Sequence, residues 1–252
     1  MDDRTSRTAR GPRARGVDTP PRAERDVALT RQNCWLCPLR PRCALAALLR
    51  EAGVEGRVEP QSVDYPAGAQ LRARDAWVCV LRGGAVKVLW TDAPKRPRVI
   101  DFRFAGEFVG LDASLGVEPD KRSYQTVQWS QLCGVPVDPG RSPVPSHLLA
   151  SRLAAGIMPV YAHNRMMLAG AAERVARYLV RAFDALEHGS GRRPGMLPPV
   201  SRGDIADYLG LRAESVSRVL TQFRQSGWVN GRFDSLEVLR AEPLRELAGS
   251  AR

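Results

Sequence analysis

The stretch Ser201-Arg202-Gly203-Asp204-Ile205-Ala206-Asp207-Tyr208-Leu209-Gly210-Leu211, continuing as Arg212-Ala213-Glu214-Ser215-Val216-Ser217-Arg218-Val219-Leu220-Thr221, decides the fold of this chain. Ser201 is a favourable N-cap, and Asp204 places an acid in the first turn, near the positive end of the helix dipole. Ile205 and Leu209 supply an inward face, Gly210 stands where that helix stops, and a second helix starts near Ala213 with Val216, Val219 and Leu220 turned inward. Two helices joined by a glycine-containing turn make the helix-turn-helix pattern of DNA-binding modules. The segment from Gly227 to Leu239 reads as a hairpin, so the module is winged.

On the second helix, Glu214, Ser217, Arg218 and Thr221 share one polar face opposite Val216, Val219 and Leu220. The first turns of a recognition helix reach base edges. An arginine can bond bidentately to guanine, a glutamate can accept from cytosine, and a serine can take either role near thymine; a good bidentate pair is worth about 1–3 kcal/mol of discrimination. An ordinary solvated helix face has the same spacing, and it is the preceding turn and the following hairpin that favour DNA. The DNA-facing set is Arg202, Glu214, Ser215, Ser217, Arg218 and Thr221.

Upstream, residues 171–188 form an amphipathic helix, followed by a loop at 189–195. Before it, Leu153, Ile157, Val160, Asn164, Met167 and Ala171 are spaced alternately four and three apart, which is a coiled-coil seam with Asn164 at the position where a buried asparagine sets register. A helix packed on its own domain has the same spacing. Pro159 removes a backbone hydrogen bond and crowds the carbonyl of Ala155, so a kink or a helix start is expected there. Between Val58 and Val137 the pattern is of short β-branched and aromatic runs: Val63–Tyr65, Trp77–Arg82, Ala85–Trp90, Arg98–Phe104, Gln125–Trp129 and Gln131–Val137. Strands at this spacing predict an antiparallel barrel or roll. Residues 1–30 are rich in Arg, Pro, Gly and Thr, with too little apolar surface to order themselves.

The 252 residues favour two domains, and their 44% hydrophobic content is enough to fill the cores. The net charge of +11 favours a polyanionic partner, although the excess is spread along the chain, with only +1 of it over 199–252. No run of eighteen apolar residues suggests a membrane span, and the arginine-rich start is unlike a secretory signal. The odd count of five cysteines then argues against a disulfide framework and for thiols in a reducing cytoplasm.

Cys34, Cys37 and Cys43 form C-x2-C-x5-C, three of the five thiols within ten residues. Zinc would want a second knuckle or a nearby histidine, but the three histidines are His147, His163 and His188. An iron–sulfur cluster wants four thiolates, with a long gap before the fourth allowed. Cys79 and Cys133 are the candidates. Cys79 lies within an apolar strand, whereas Cys133 sits at a strand end beside Gly134, which permits close approach, and is the preferred fourth ligand. Structural zinc is the alternative.

The order of cysteine cluster, β-roll, long helix and winged helix-turn-helix resembles the Crp/Fnr family over about residues 32–249, most closely its Fnr branch. The motifs carrying the resemblance are the cysteine spacing, Phe104-Ala105-Gly106-Glu107-Phe108-Val109-Gly110, Leu132-Cys133-Gly134-Val135-Pro136, Arg202–Leu211, and the run Glu214-x-x-Ser217-Arg218. The resemblance implies an α+β fold: an N-terminal antiparallel β-roll like that of cyclic-nucleotide-binding domains, a long dimerisation helix and a C-terminal winged helix-turn-helix. Its divisions would be a disordered tail (1–30), a sensor domain (31–145), the dimerisation helix (146–170) and the DNA-binding domain (171–252).

By the same resemblance, a [4Fe–4S] cluster would sit on Cys34, Cys37, Cys43 and Cys133. A homodimer joined along Leu153, Ile157, Val160, Asn164 and Met167 would read a TTGAT-type inverted repeat in double-stranded DNA, with RNA polymerase as a partner. Ser217, Arg218 and Glu214 would face the T, the G and the C opposite that G. Oxygen would convert the cluster and release the DNA; nitric oxide or redox sensing is the alternative signal. No enzymatic motif is present. Gly106-Glu107 is not followed by the Arg-Ala of the cyclic-AMP relatives, so no cyclic nucleotide is expected. Arg40 and Arg42 would stabilise a negative cluster, and Pro38 and Pro41 would stiffen its cage. With no acid on the seam, coupling to the dimer would act through Pro159 or the helix start.

Overall fold

The computed structural model describes residues 30–71, 77–92, 96–111, 121–137, 142–152, 167–186 and 195–249. Leu153, Ile157, Pro159, Val160 and Asn164 lie outside the described residues, as does the tail up to residue 29.

The chain enters through β1 (Thr30–Arg31), two short 3-10 turns at Cys34–Leu36 and Arg40–Arg42, and helix α1 (Ala44–Glu51). Strands β2 (Gln61–Tyr65), β3 (Gln70–Leu71), β4 (Trp77–Gly83), β5 (Ala85–Trp90), β6 (Arg98–Phe104), β7 (Phe108–Val109), β8 (Arg122–Thr126) and β9 (Ser130–Pro136) follow. They form two antiparallel sheets, ordered β1-β2-β9-β4-β7 and β3-β8-β5-β6, which is the expected roll. Residues 146–152 are helical. Then come α2 (Ala171–Leu186), α3 (Arg202–Leu209), α4 (Ala213–Gln225), β10 (Val229–Asn230), β11 (Glu237–Val238) and α5 (Ala241–Gly249). The fold is α+β.

Two details differ from the sequence reading. Thr30 belongs to β1 and pairs with Ser62, because the edge of β2 is open to it. The strand expected at Gln125–Trp129 lies instead at Arg122–Thr126, and the chain bends at 127–129. There Val127 donates its N–H to the carbonyl of Ala85 and packs against the largest core, the Ser130 hydroxyl donates to the carbonyl of Gln128, and Trp129 is left exposed.

The cores explain how the halves meet. Leu45, Leu48 and Leu49 of α1 pack with Val78, Val80, Cys133 and Val135 on one face of the first sheet. Leu71, Leu81, Val86, Val88 and Tyr124 fill the space between the sheets. The largest cluster joins Phe102 and Phe104 of β6 to Tyr178 and Leu179 of α2 and to Tyr208, Leu209 and Leu220 of the helix-turn-helix. Phe102 touches both tyrosine rings, with centroids 5.4 Å and 5.3 Å away. Burying each such side chain contributes about 1.5–3 kcal/mol, so the roll and the C-terminal helices are one packed body along β6.

Candidate cysteine pocket and nucleic-acid interface

The cysteine loop is shaped by its own residues. Asn33 Oδ1 accepts the N–H of Trp35 at 2.9 Å, Cys37 donates to the carbonyl of Cys34, and Arg40 to that of Cys37. The Arg40 guanidinium lies 4.0 Å from the centre of the Trp35 ring and 3.0 Å from Glu55. Cys43 then caps α1, its sulfur accepting the N–H of Ala46 at 3.5 Å.

Across the loop stands the β9–β4 ladder, in which Cys133 is directly opposite Val80 and Cys79 is opposite Gly134. Opposite residues share a face and successive ones alternate. Cys133 and Val80 therefore face the loop, while Cys79 faces the interior between the sheets, where a β-carbon at Gly134 would stand 2.7 Å from its sulfur. Cys34, Cys37, Cys43 and Cys133 line a single pocket together with Gln32, Leu39, Arg40, Leu81 and Arg82. Among the described residues no three His, Cys, Asp or Glu side chains converge closely enough to grip one metal ion.

Electrostatics in the pocket disfavour bare thiolates. Burial pushes the Cys34 thiol up to about 11, with Cys43, Cys37 and Glu55 adding to the shift and Arg40 opposing it. Burial likewise raises Cys133, reinforced by Cys34 and Cys43 and opposed by Arg82. Cys43 is raised by burial against the backbone N–H groups of Ala46 and Leu45. A cationic centre reverses this balance, since metal-bound thiols are deprotonated outright.

One cation is not where the sequence reading puts it. Arg42 is not on the pocket wall; its Nη1 donates to the main-chain oxygen of Asp184 in α2. Arg82 of β4 takes the place beside the thiols, steadied by Gln131 at 2.6 Å. Strand parity is the only sequence signal that could have found it.

At the other end, Ser201 accepts the N–H of Asp204 at 3.0 Å, and Gly210 ends α3 in the left-handed conformation. Val216, Val219, Leu220 and Phe223 anchor α4, leaving Glu214, Arg218 and Thr221 exposed and Ser215 and Ser217 half-buried. The Ser217 and Thr221 hydroxyls donate back to the Ala213 and Ser217 carbonyls, and each oxygen also accepts from an arginine at 3.5 Å, Arg202 for Ser217 and Arg224 for Thr221. Arg202 spans recognition helix and wing, 3.5 Å from Ser217 Oγ and 5.7 Å from the Phe233 ring centre. The wing is β10 against β11, with a third edge from 195–197, where Leu197 donates to Leu236 and Val238 to Gly195. Gly195, the last residue of the loop expected at 189–195, therefore takes part in sheet pairing, and 189–194 lie outside the described residues. Met167, a seam residue of the sequence reading, packs against Arg174, and a β-carbon at Gly210 would lie 3.0 Å from its sulfur.

A β-roll bearing a thiol pocket and packed on a winged helix-turn-helix defines a sequence-reading regulator of transcription rather than an enzyme. The comparisons with known proteins agree. A Crp-like helix-turn-helix domain matches residues 173–247. The fumarate nitrate reduction regulatory protein of Klebsiella oxytoca is 30% identical over 200 residues, covering 75% of this chain and 76% of that one. The transcriptional activator protein anr of Pseudomonas aeruginosa is 26% identical over 233 residues, 88% and 95% of the two chains. The chain belongs to the Crp/Fnr family of DNA-binding transcription regulators. Its fold is shared with FixK2 from Bradyrhizobium japonicum (TM-score 0.60, 21% identity, covering 77% of this chain and 100% of that one). It is shared also with a CRP-family transcriptional regulator from Thermus thermophilus (TM-score 0.59, 24% identity, 75% and 97%). Among the described residues no helix is long and apolar enough to cross a membrane.

Proposed function

We propose that this regulator carries a [4Fe–4S] cluster on Cys34, Cys37, Cys43 and Cys133, and that the state of the cluster governs its dimerisation and its hold on DNA. The observation that supports this most directly is the parting of the five cysteines: four line one pocket, and Cys79 faces the opposite side of its sheet. When bound, the cluster supplies an oxygen-labile redox centre. The chain's own residues supply the rest. The loop from Asn33 to Cys43 presents three sulfurs in a fixed turn, β9 presents the fourth, and Arg40 and Arg82 place positive charge beside them. Val80 and Leu39 form the apolar side of the pocket.

In this reading residues 31–145 are the sensor, 146–170 the dimerisation helix, and 171–252 the DNA-binding domain. Two copies meet along the 153–167 seam and read a TTGAT-type inverted repeat. Arg218 bonds the guanine edge, Glu214 accepts from the cytosine paired with it, and Ser217 accepts or contacts at the thymine. Ser215, Thr221 and Arg202 border them, and RNA polymerase is the further partner. Glu107, the acid of the Gly-Glu turn, is already engaged by Arg181, which supports a sensor that uses no cyclic nucleotide.

Anaerobic purification followed by an absorption spectrum and iron and sulfide assay tests the proposal. A brown protein with about four irons per chain is expected. A colourless protein containing zinc but no iron would replace the sensor with a structural metal site. Separate exposure of the loaded protein to oxygen and to nitric oxide identifies the signal.

A further inference from the structure

Two hydrogen-bonded routes join the cysteine loop to the DNA-reading helices. In the first, Arg42, the residue before Cys43, donates to the carbonyl of Asp184 at 2.6 Å. Asp184 lies in the last turn of α2, where the final carbonyls have no partner within the helix and the dipole end is negative. An arginine there caps the helix. A residue of the cysteine loop thus holds the end of the helix that leads into the helix-turn-helix.

The second route runs through the turn behind the loop. Ala44, next to Cys43, donates its N–H to Gly106 at 2.9 Å, and Gly106 donates to Leu81 at 2.7 Å. The following residue, Glu107, takes the N–H of Phe104 at 3.0 Å and sets both carboxylate oxygens 3.2 Å from Nη2 of Arg181 in α2. That same guanidinium reaches Asp101 at 2.9 Å, the carbonyl of Phe102 at 2.9 Å and the hydroxyl of Tyr208 in α3 at 3.0 Å. One planar fork therefore holds the turn behind the cysteine loop, strand β6 and the first helix of the helix-turn-helix. Lys87 to Asp204 (3.0 Å) and Arg96 to Asp207 (3.1 Å) fasten α3 further along.

We infer that Arg181 is a positioning residue that couples the cysteine pocket to the DNA-reading helices, with Arg42 as a second tie. The inference rests on the cluster reading and adds a path within one subunit, separate from the 153–167 seam. The guanidinium is rigid and its donors have fixed directions, so it cannot follow a displaced Glu107 and still hold Asp101 and Tyr208. A loop that rearranges when its sulfurs lose their cofactor moves the 104–107 turn through Ala44, and α3 is released or re-seated. Packed elements switch between discrete arrangements rather than deforming smoothly, so a small shift at the turn is passed on whole.

The test compares full-length wild type, Arg181→Met and Tyr208→Phe, purified without air. Iron per chain is measured, together with the dissociation constant for a duplex carrying the inverted repeat, before and after the cluster is stripped. Hydrogen exchange over 202–209 is followed in both states. Wild type should show a large ratio of stripped to loaded Kd and a change in exchange on stripping. Arg181→Met should keep its iron yet lose about tenfold of that ratio, and exchange over 202–209 should no longer respond. Tyr208→Phe removes a single hydroxyl contact and should lose a few-fold; it decides the matter if Arg181→Met does not fold. Both variants keeping the wild-type ratio and response would overturn this inference while leaving the cluster reading intact. A wild type without iron would overturn the cluster reading itself, and this inference with it.

Discussion

Replacing Gly106 with alanine should loosen the cysteine loop from the strand behind it. Gly106 has φ +93°, a conformation that costs a residue with a side chain about 1–3 kcal/mol. The added β-carbon would also stand 2.8 Å from the carbonyl oxygen of Arg42, which is backbone and cannot swing aside. The 40–44 loop must retreat, and the bond from Ala44 to Gly106, worth about 1 kcal/mol, is strained or lost. Alanine restricts the unfolded chain and returns about 0.4–1 kcal/mol. The net destabilisation is about 1–3 kcal/mol, or a fall in Tm of about 3–10 °C. Thermal unfolding without air, with iron measured on the same samples, is the assay, and Gly106→Ala should lose iron as well as stability. Gly53→Ala is the control: Gly53 also has positive φ (+67°), but a β-carbon there meets nothing within 4 Å. It should lose some stability and keep its iron. A Gly106→Ala protein with unchanged Tm and full iron would refute the claim that this contact holds the loop in place.

Further outcomes follow from the same geometry. Cys34→Ser, Cys37→Ser, Cys43→Ser and Cys133→Ser should each abolish the iron chromophore, while Cys79→Ser should retain it; the reverse result for the last two would reassign the fourth ligand. Arg218→Ala should relax preference at one base pair by about 5–150-fold in binding to a panel of half-site variants, and a uniform loss across the panel would mean a phosphate contact instead. Asp101 titrates below the usual carboxylate range: burial pushes it up, but Arg103 and Arg181 more than offset that. Its contribution to stability is therefore complete above its unfolded pKa of about 3.9 and is lost as pH falls through the lower folded value. Urea midpoints measured from pH 7 downward should show an acid-induced loss below about pH 4 in wild type that is smaller in Asp101→Asn.

How much of this was legible depended on the range of the interactions involved. Ser201, Gly210 and the apolar steps from Ile205 to Leu220 act within a turn or two of helix, so the helix-turn-helix could be read directly. Three cysteines within ten residues likewise announced a site without a fold around them. The strand at Arg122–Thr126 was harder, because the apolar residues Val127 and Trp129 lie past its end, in the bend that carries the chain from one sheet to the other. Strand β4 is packed on both faces, Val78 and Val80 on one side and Cys79 and Leu81 on the other, so its nearly continuous apolar run conceals which way each residue points.

The choice of Cys133 over Cys79 could be argued from the residues, but only the pairing of Cys133 with Val80 and of Cys79 with Gly134 places them on opposite faces. The same holds for the charges. Composition counts thirty-eight basic residues without saying that Arg82 stands beside the thiols, that Arg42 caps a helix 142 residues away, or that Arg181 joins three segments. By itself the sequence determined the helix-turn-helix, the roll and the existence of a thiol site, since caps, periodicity and close spacing are local properties of the chain. The tertiary structure decided which fourth cysteine lines that pocket and which side chains run from the roll to the C-terminal helices, because those contacts depend on strand register and on the reach of long side chains between distant segments.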